Sequence, residues 1–157
     1  MKLHKSRFKI LISLLCLFLP SVLSAEQITK KVHITDSASS AKTSIYIADM
    51  GRDADVRLFL TRSADPAAKK IYLTMQKSEA DFVLDFADTA AEGDVSVYFT
   101  DTSSEANIRI FFASAAEAAD KSIQFVISKQ DADISVYADA ALKRNKLLAL
   151  LVALKAI

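Results

Sequence analysis

Residues 93–106 read Gly-Asp-Val-Ser-Val-Tyr-Phe-Thr-Asp-Thr-Ser-Ser-Glu-Ala, and versions of this stretch recur every 13 residues along the chain. Aligned on the closing alanine, the copies fall at Ala41, Ala54, Ala67, Ala80, Gly93, Ala106, Ala119 and Ala132. Four residues after each comes an aliphatic: Ile45, Leu58, Ile71, Leu84, Val97, Ile110, Ile123 and Val136. Two further on stand Ile47, Leu60, Leu73, Phe86, Phe99, Phe112, Phe125 and Ala138. Apolar residues two apart alternate between the faces of a pleated strand, so each copy predicts one strand of about five to seven residues.

Between strands lies a short polar stretch in which Ser or Thr is followed three residues later by an acid: Thr89 to Glu92, Thr102 to Glu105, Ser128 to Asp131. That spacing matches a capping box, and it predicts a single helical turn or tight turn in each copy. About seven residues between strands are too many for two-residue hairpin turns, and Asn-Gly and Asp-Gly pairs are absent. No copy alone can bury its apolar face, so the copies must close on one another or stack. The expected fold is mainly β with short single-turn helices, eight strand-turn repeats in one compact domain.

The residue between each pair of aliphatics points to the other face of its strand. It is Tyr46, Phe59, Tyr72, Asp85, Tyr98, Phe111, Gln124 and Tyr137. Six of these eight are aromatic, so Tyr46, Phe59, Tyr72, Tyr98, Phe111 and Tyr137 are the candidate binding residues. Such a column can stack on sugar rings or grip an apolar partner. The competing assignment is packing, with the face closed by the turns, by the C-terminal tail or by a second copy in a homodimer. Asp85 and Gln124 break the column, which points to parts of it meeting water.

Residues 1–25 carry the pattern of a cleaved secretory signal. Lys2, Lys5, Arg7 and Lys9 precede an apolar run from Ile10 to Leu19, and small residues arrive at Ser24 and Ala25. The run is half the ~20 residues that cross a bilayer. Export to the periplasm or beyond the cell is the expectation. Cys16, the single cysteine, leaves with the signal, so no disulfide holds the mature chain. Residues 26–141 form the repeat domain. Without the signal, 16 basic residues stand against 19 acidic ones, which disfavours a nucleic-acid partner.

Residues 142–157 form a tail rich in Leu, Ala and Lys, all good helix formers. Its apolar run, Leu147 to Leu154, is too short to span a membrane. Three roles compete: a helix or strand folded back over an open apolar face, a docking element for a partner protein, or a peripheral contact with an anionic membrane through Lys143, Arg144 and Lys146.

No catalytic constellation is present. His33 is the one histidine of the mature chain and stands in the aromatic column, where packing is the ordinary role. Without a second histidine or a cysteine, nucleophile–base pairs and zinc sites cannot be assembled. Acids recur in two columns, Asp36, Asp49, Asp88 and Asp101, and Asp53, Glu79, Glu92, Glu105 and Asp131. Stacked, they could offer oxygen ligands to calcium; turn capping explains them without a metal. No cofactor is expected.

The pattern apolar-x-apolar-x-x-Asp-(Ser/Thr)-x-x-Glu-Ala-Asp, as in Tyr98 to Asn107 and Lys77 to Asp81, resembles the septoil-knot family of small bacterial domains of unknown function. The resemblance covers about residues 31–138. It implies a strand-rich domain threaded as a seven-crossing knot, and no activity. Gly93 in the alanine column, Pro66 in an acid column, and Arg62, Met75 and Ile127 in the other acid column depart from it. The functional expectation is a non-enzymatic exported module binding an envelope protein, or, as the alternative, a carbohydrate- or peptidoglycan-binding module.

Overall fold

The computed structural model describes residues 26–138 and 142–157. The signal segment and the boundary at residues 139–141 lie outside them. Eight repeats join nine strands: β1 (Ile28–Ile34), β2 (Thr43–Ala48), β3 (Val56–Thr61), β4 (Lys69–Leu73), β5 (Phe82–Phe86), β6 (Val95–Thr100), β7 (Ile108–Ala113), β8 (Lys121–Val126) and β9 (Ile134–Ala138). All neighbours pair in parallel, and the sheet closes into a barrel in the order β1-β5-β9-β4-β8-β3-β7-β2-β6. Each strand in the chain therefore skips one position around the barrel. The chain makes one circuit with β1 to β5, then fills the gaps on a second.

The register explains how parallel strands are joined by so few residues. Parallel crossovers ordinarily return along the whole strand and need a dozen residues or more. Here Ala48, the last residue of β2, and Arg57, the second of β3, both pair with Phe111 of β7 between them. The next strand starts level with the end of the last, and the connection only has to step sideways over one neighbour. Six connections contain a single 3-10 turn: Ala38–Ser40, Gly51–Asp53, Lys77–Glu79, Ser103–Glu105, Ala116–Ala118 and Lys129–Asp131. The other two are the copies with Pro66 and Gly93. In the copy containing Gly51–Asp53, the Asp53 N–H donates back to Met50. Proline has no N–H to do so, and that turn closes instead through Ala67 and Ala68 on Asp65.

Equivalent residues are displaced by two at every strand-to-strand step, as in Tyr98 opposite Ser44 and Phe111 opposite Ala48. Nine steps of two give a stagger of 18 residues around the barrel. At ~4.8 Å between strands and ~3.3 Å per residue, that tilts the strands by roughly 54° and opens a backbone radius of roughly 12 Å. A nine-stranded barrel with half the stagger would be filled by its own side chains. This one has room for a helix ~10–12 Å across.

The helix is the tail. α1 (Arg144–Ala153) is the one α-helix among the described residues. Leu147, Leu148, Ala149, Leu150 and Leu151 are successive and all buried. Five residues at 100° per residue go fully around a helix, so every face of it is inside. They share one core with Val32, Ile45, Leu58, Ile71, Leu84, Val97, Ile110, Ile123 and Val136, one from each strand and each 0 % exposed. The displacement by two sets these nine at one height, as a ring around the helix.

Of the three roles weighed for the tail, the observed arrangement is closest to the first, though the tail lies within the barrel rather than over a face. Leu147, Leu148, Leu150 and Leu151, which a membrane contact by the tail would have to insert, are in the core. Only the cationic first turn, with Arg144 5.2 Å above the Phe125 ring and Lys146 4.9 Å above Phe99, sits at the barrel mouth where the strands end.

Candidate functional site

Three groups of residues on the outer surface carry polar or recognition chemistry: a set of carboxylate clamps, the aromatic ring and the rim where the strands end.

The residue one after each repeat alanine is Asp55, Asp81, Asp94, Asn107, Asp120 or Asp133 in six copies. Each accepts a hydrogen bond through its side chain from a backbone N–H on the adjacent strand, at 2.7–2.9 Å: Arg109, Ser135, Lys31, Ser44, Arg57 and Lys70 respectively. Each also donates its own N–H to that residue's carbonyl, at 2.8–2.9 Å. This two-point clamp fixes which residue six of the nine strands start against, and hence their stagger. Two clamps add guanidinium contacts, Arg57–Asp120 at 2.6 Å and Arg109–Asp55 at 2.7 Å. The acids singled out in the sequence lie in other columns; the recurrence of Asp or Asn at this one position is the signal that would have found the clamps.

The capping box does not form as expected. Ser128 caps its turn by accepting from the Gln130 N–H, but Thr102 makes no such bond. The hydroxyl two residues earlier substitutes. Thr100 accepts from the Thr102 N–H at 3.0 Å and donates to Glu105 at 3.2 Å, and Thr74 does the same with Gln76 and Glu79.

Hydrogen bonds from Arg109 hold the Asp55 carboxyl below its ordinary range, and those from Arg57 do so for Asp120. Burial raises Asp81, but the Ser135 hydroxyl and N–H outweigh it and leave this carboxyl lowered too. A carboxyl more acidic in the folded than in the unfolded chain stabilises the fold above the unfolded value, about 3.9, and that contribution is lost as pH falls through the lower folded value. The melting temperature is therefore expected to hold from neutral pH to about pH 5 and to fall below about pH 4. Thermal melts in an Asp81→Asn background check it: the drop shrinks if this clamp contributes and is unchanged if it does not.

Tyr46, Phe59, Tyr72, Tyr98, Phe111 and Tyr137 point outward and are all half-buried. Being equivalent, they share one level, with His33, Asp85 and Gln124, as a belt around the barrel. Strand order divides them. Phe59, Phe111, Tyr46 and Tyr98 occupy four consecutive strands, and Tyr137 and Tyr72 form a separate pair. Each crossover passes over the strand it skips: the turns at Ala38–Ser40, Gly51–Asp53, Ser103–Glu105, Ala116–Ala118 and Lys129–Asp131 pack on β6, β7, β2, β3 and β4. A side chain at Gly51 would meet the Phe111 ring at 3.2 Å. Lys77 lies 5.9 Å above the Tyr137 ring. The belt is thus a second packing layer under the crossovers.

Asp85 and Gln124 stand in the belt with part of each side chain open to water and part of it buried. Each keeps one buried oxygen that no donor among the described residues reaches. His33 follows the belt: its Nδ1 is 3.1 Å from the Ala87 carbonyl, and Gly93 crosses close above it.

Among the described residues no group of three or more acids, histidines or cysteines is placed to hold a metal. An open recess of about 560 Å³ lies where β4 and β8 begin, between Lys69 and Lys121 and the end of the chain at Ala156 and Ile157. Asp120, the acidic side chain in its lining, is committed to Arg57. No helix among the described residues is long and apolar enough to cross a membrane.

The third group is the rim where the strands end. Met75 and Ile127 there are 92 % and 98 % exposed.

No curated protein and no solved structure matches the chain. A family model does: the 7(1) septoil knot domain matches residues 25–109, more than half of the chain. The same 13-residue register continues beyond the match through β7, β8 and β9. The chain belongs to the septoil knot domain family.

Proposed function

We propose that this chain is a non-enzymatic module, exported to the periplasm or secreted, that binds another macromolecule of the bacterial cell envelope through its outer surface. One observation carries this: the barrel interior, where a barrel of this width would hold a small molecule, is filled by the chain's own helix. What is left for recognition is the outside. In-cell crosslinking tests it, with the full chain, residues 1–157, which carries its own export signal, beside its Met75→Ser/Ile127→Ser variant. The expected result is a partner captured by the first and lost from the second. Capture by neither overturns it.

A second reading, a glycan-binding face, rests on the four consecutive aromatics Phe59, Phe111, Tyr46 and Tyr98, which lie under crossovers but are only half-buried, so that sugars would stack on the parts of the rings left open. A glycan array without a hit removes it. The two-circuit path, with crossovers passing over skipped strands, supports the further proposal that this chain carries the knot its family is named for.

A further inference from the structure

The order of strands around the barrel sorts one rim into two sides that the order along the chain conceals. Three residues past the aromatic belt, equivalent positions read Asp49, Asp101, Asp36 and Asp88 on four consecutive strands, β2, β6, β1 and β5. Diametrically opposite, on β4, β8 and β3, the same positions hold Met75, Ile127 and Arg62. Met75 and Ile127 are the two most exposed large apolar side chains among the described residues. The start of α1 adds a cation on this side, Arg144 over Phe125, two residues before Ile127, with Lys143 preceding it in the chain and both exposed, and one on the acidic side, Lys146 over Phe99 of β6. Arg62, Lys143 and Arg144 make no ion pair with another described residue. Lys77 and Lys129 stand nearby but are engaged, by Asp85 and by the Glu79 carbonyl.

We propose that this side of the rim docks on an anionic lipid surface, with Met75 and Ile127 inserted at the headgroup–acyl boundary and Arg62, Lys143 and Arg144 against the headgroups. This goes beyond the reading above, which asks for a captured macromolecule: it puts a lipid surface at this rim, so that vesicle binding and crosslinking stand or fall separately. Two separate side chains exposed almost to their full extent make a poor protein interface, which needs a contiguous patch of several hundred Å². They suit insertion between lipids, where neighbouring cations add attraction to anionic headgroups. The four aspartates opposite would be repelled, so the barrel meets the surface tilted onto its β4–β8–β3 side.

The test is cosedimentation of residues 26–157 with vesicles of phosphatidylglycerol and phosphatidylcholine in equal parts, and with phosphatidylcholine alone. Binding to the first and little to the second is expected. It should weaken about tenfold or more in Met75→Ser/Ile127→Ser and in Arg62→Glu/Lys143→Glu, with circular dichroism unchanged because all four side chains are exposed. Equal sedimentation with both vesicles, or variants that bind like the parent chain, overturns the proposal. If vesicles are ignored while the crosslinking captures a protein that the Met75→Ser/Ile127→Ser variant loses, the lipid falls and the surface-binding reading stands.

Discussion

A chain stopped at Ala141 fails to form the native barrel. Truncation removes Leu147, Leu148, Leu150 and Leu151, all at most 4 % exposed. Burying a leucine contributes about 1.5–3 kcal/mol, so these four together supply roughly 6–12 kcal/mol as an upper bound. That equals the whole net stability of an ordinary domain, about 5–15 kcal/mol. The loss is compounded because nine aliphatic side chains, Val32 to Val136, would face an open lumen. The expected product is unfolded or loosely packed, without a cooperative thermal transition and with exposed apolar surface that binds a hydrophobic dye. A truncated chain that melts cooperatively near the parent's temperature would show that the helix is an accessory. A milder version is Leu148→Ala, expected to cost about 2–5 kcal/mol by urea denaturation.

The second large effect concerns the clamps. Asp81→Ala should cost about 1–3 kcal/mol, because it leaves the Ser135 N–H, in a residue 0 % exposed, without its side-chain acceptor, while the Ser135 hydroxyl keeps the Glu79 carbonyl. Asp133→Ala removes the same kind of bond from Lys70, in an exposed setting, where water replaces it and the cost should be under ~1 kcal/mol. Equilibrium urea titrations of the two variants check the difference. Equal losses would mean that burial of the partner is not what gives the clamp its weight.

Much of the architecture was legible from the 13-residue period. The aliphatic column Val32, Ile45 to Val136 became the inner ring, and Tyr46 to Tyr137 the outer belt, because alternation in a strand fixes the face of each residue whatever its neighbours. The single turns were legible too, and of the five departures from the pattern Pro66 and Gly93 mark the two connections without a 3-10 turn, while those with Met75 and Ile127 keep theirs. Two things were hidden. Strand order depends on a second circuit interleaving with the first, and nothing local to a repeat encodes it. For that reason the belt looked like one column and not an arc of four and a pair, and the segregation of Asp36, Asp49, Asp88 and Asp101 from Met75, Ile127 and Arg62 was invisible. The width of the barrel was hidden as well, since it follows from the two-residue stagger, held at six of the nine strands by the clamps, whose role was not read.

The tail falls between these cases. Leu147 to Leu154 is apolar on every face, the pattern of a helix surrounded by protein, yet the sequence alone offered a cover, a docking element or a membrane contact. Only a lumen of roughly 12 Å backbone radius decides among them. The function sits at the same limit. In the function proposed, a helix-filled barrel binds through its surface, and on that surface the rim bearing Met75 and Ile127 is where exposed apolar side chains and cations meet.

The central claim is that α1 runs inside the ring of nine strands, and methyl–methyl nuclear Overhauser effects test it most directly. With leucine and isoleucine methyls labelled, the leucines of α1 should show cross-peaks to Ile45 on β2 and also to Ile71 on β4, which stand on opposite sides of the barrel. Only an enclosed helix reaches both. Cross-peaks confined to neighbouring strands on one side would place the helix against the outside or across one end, and would contradict the account.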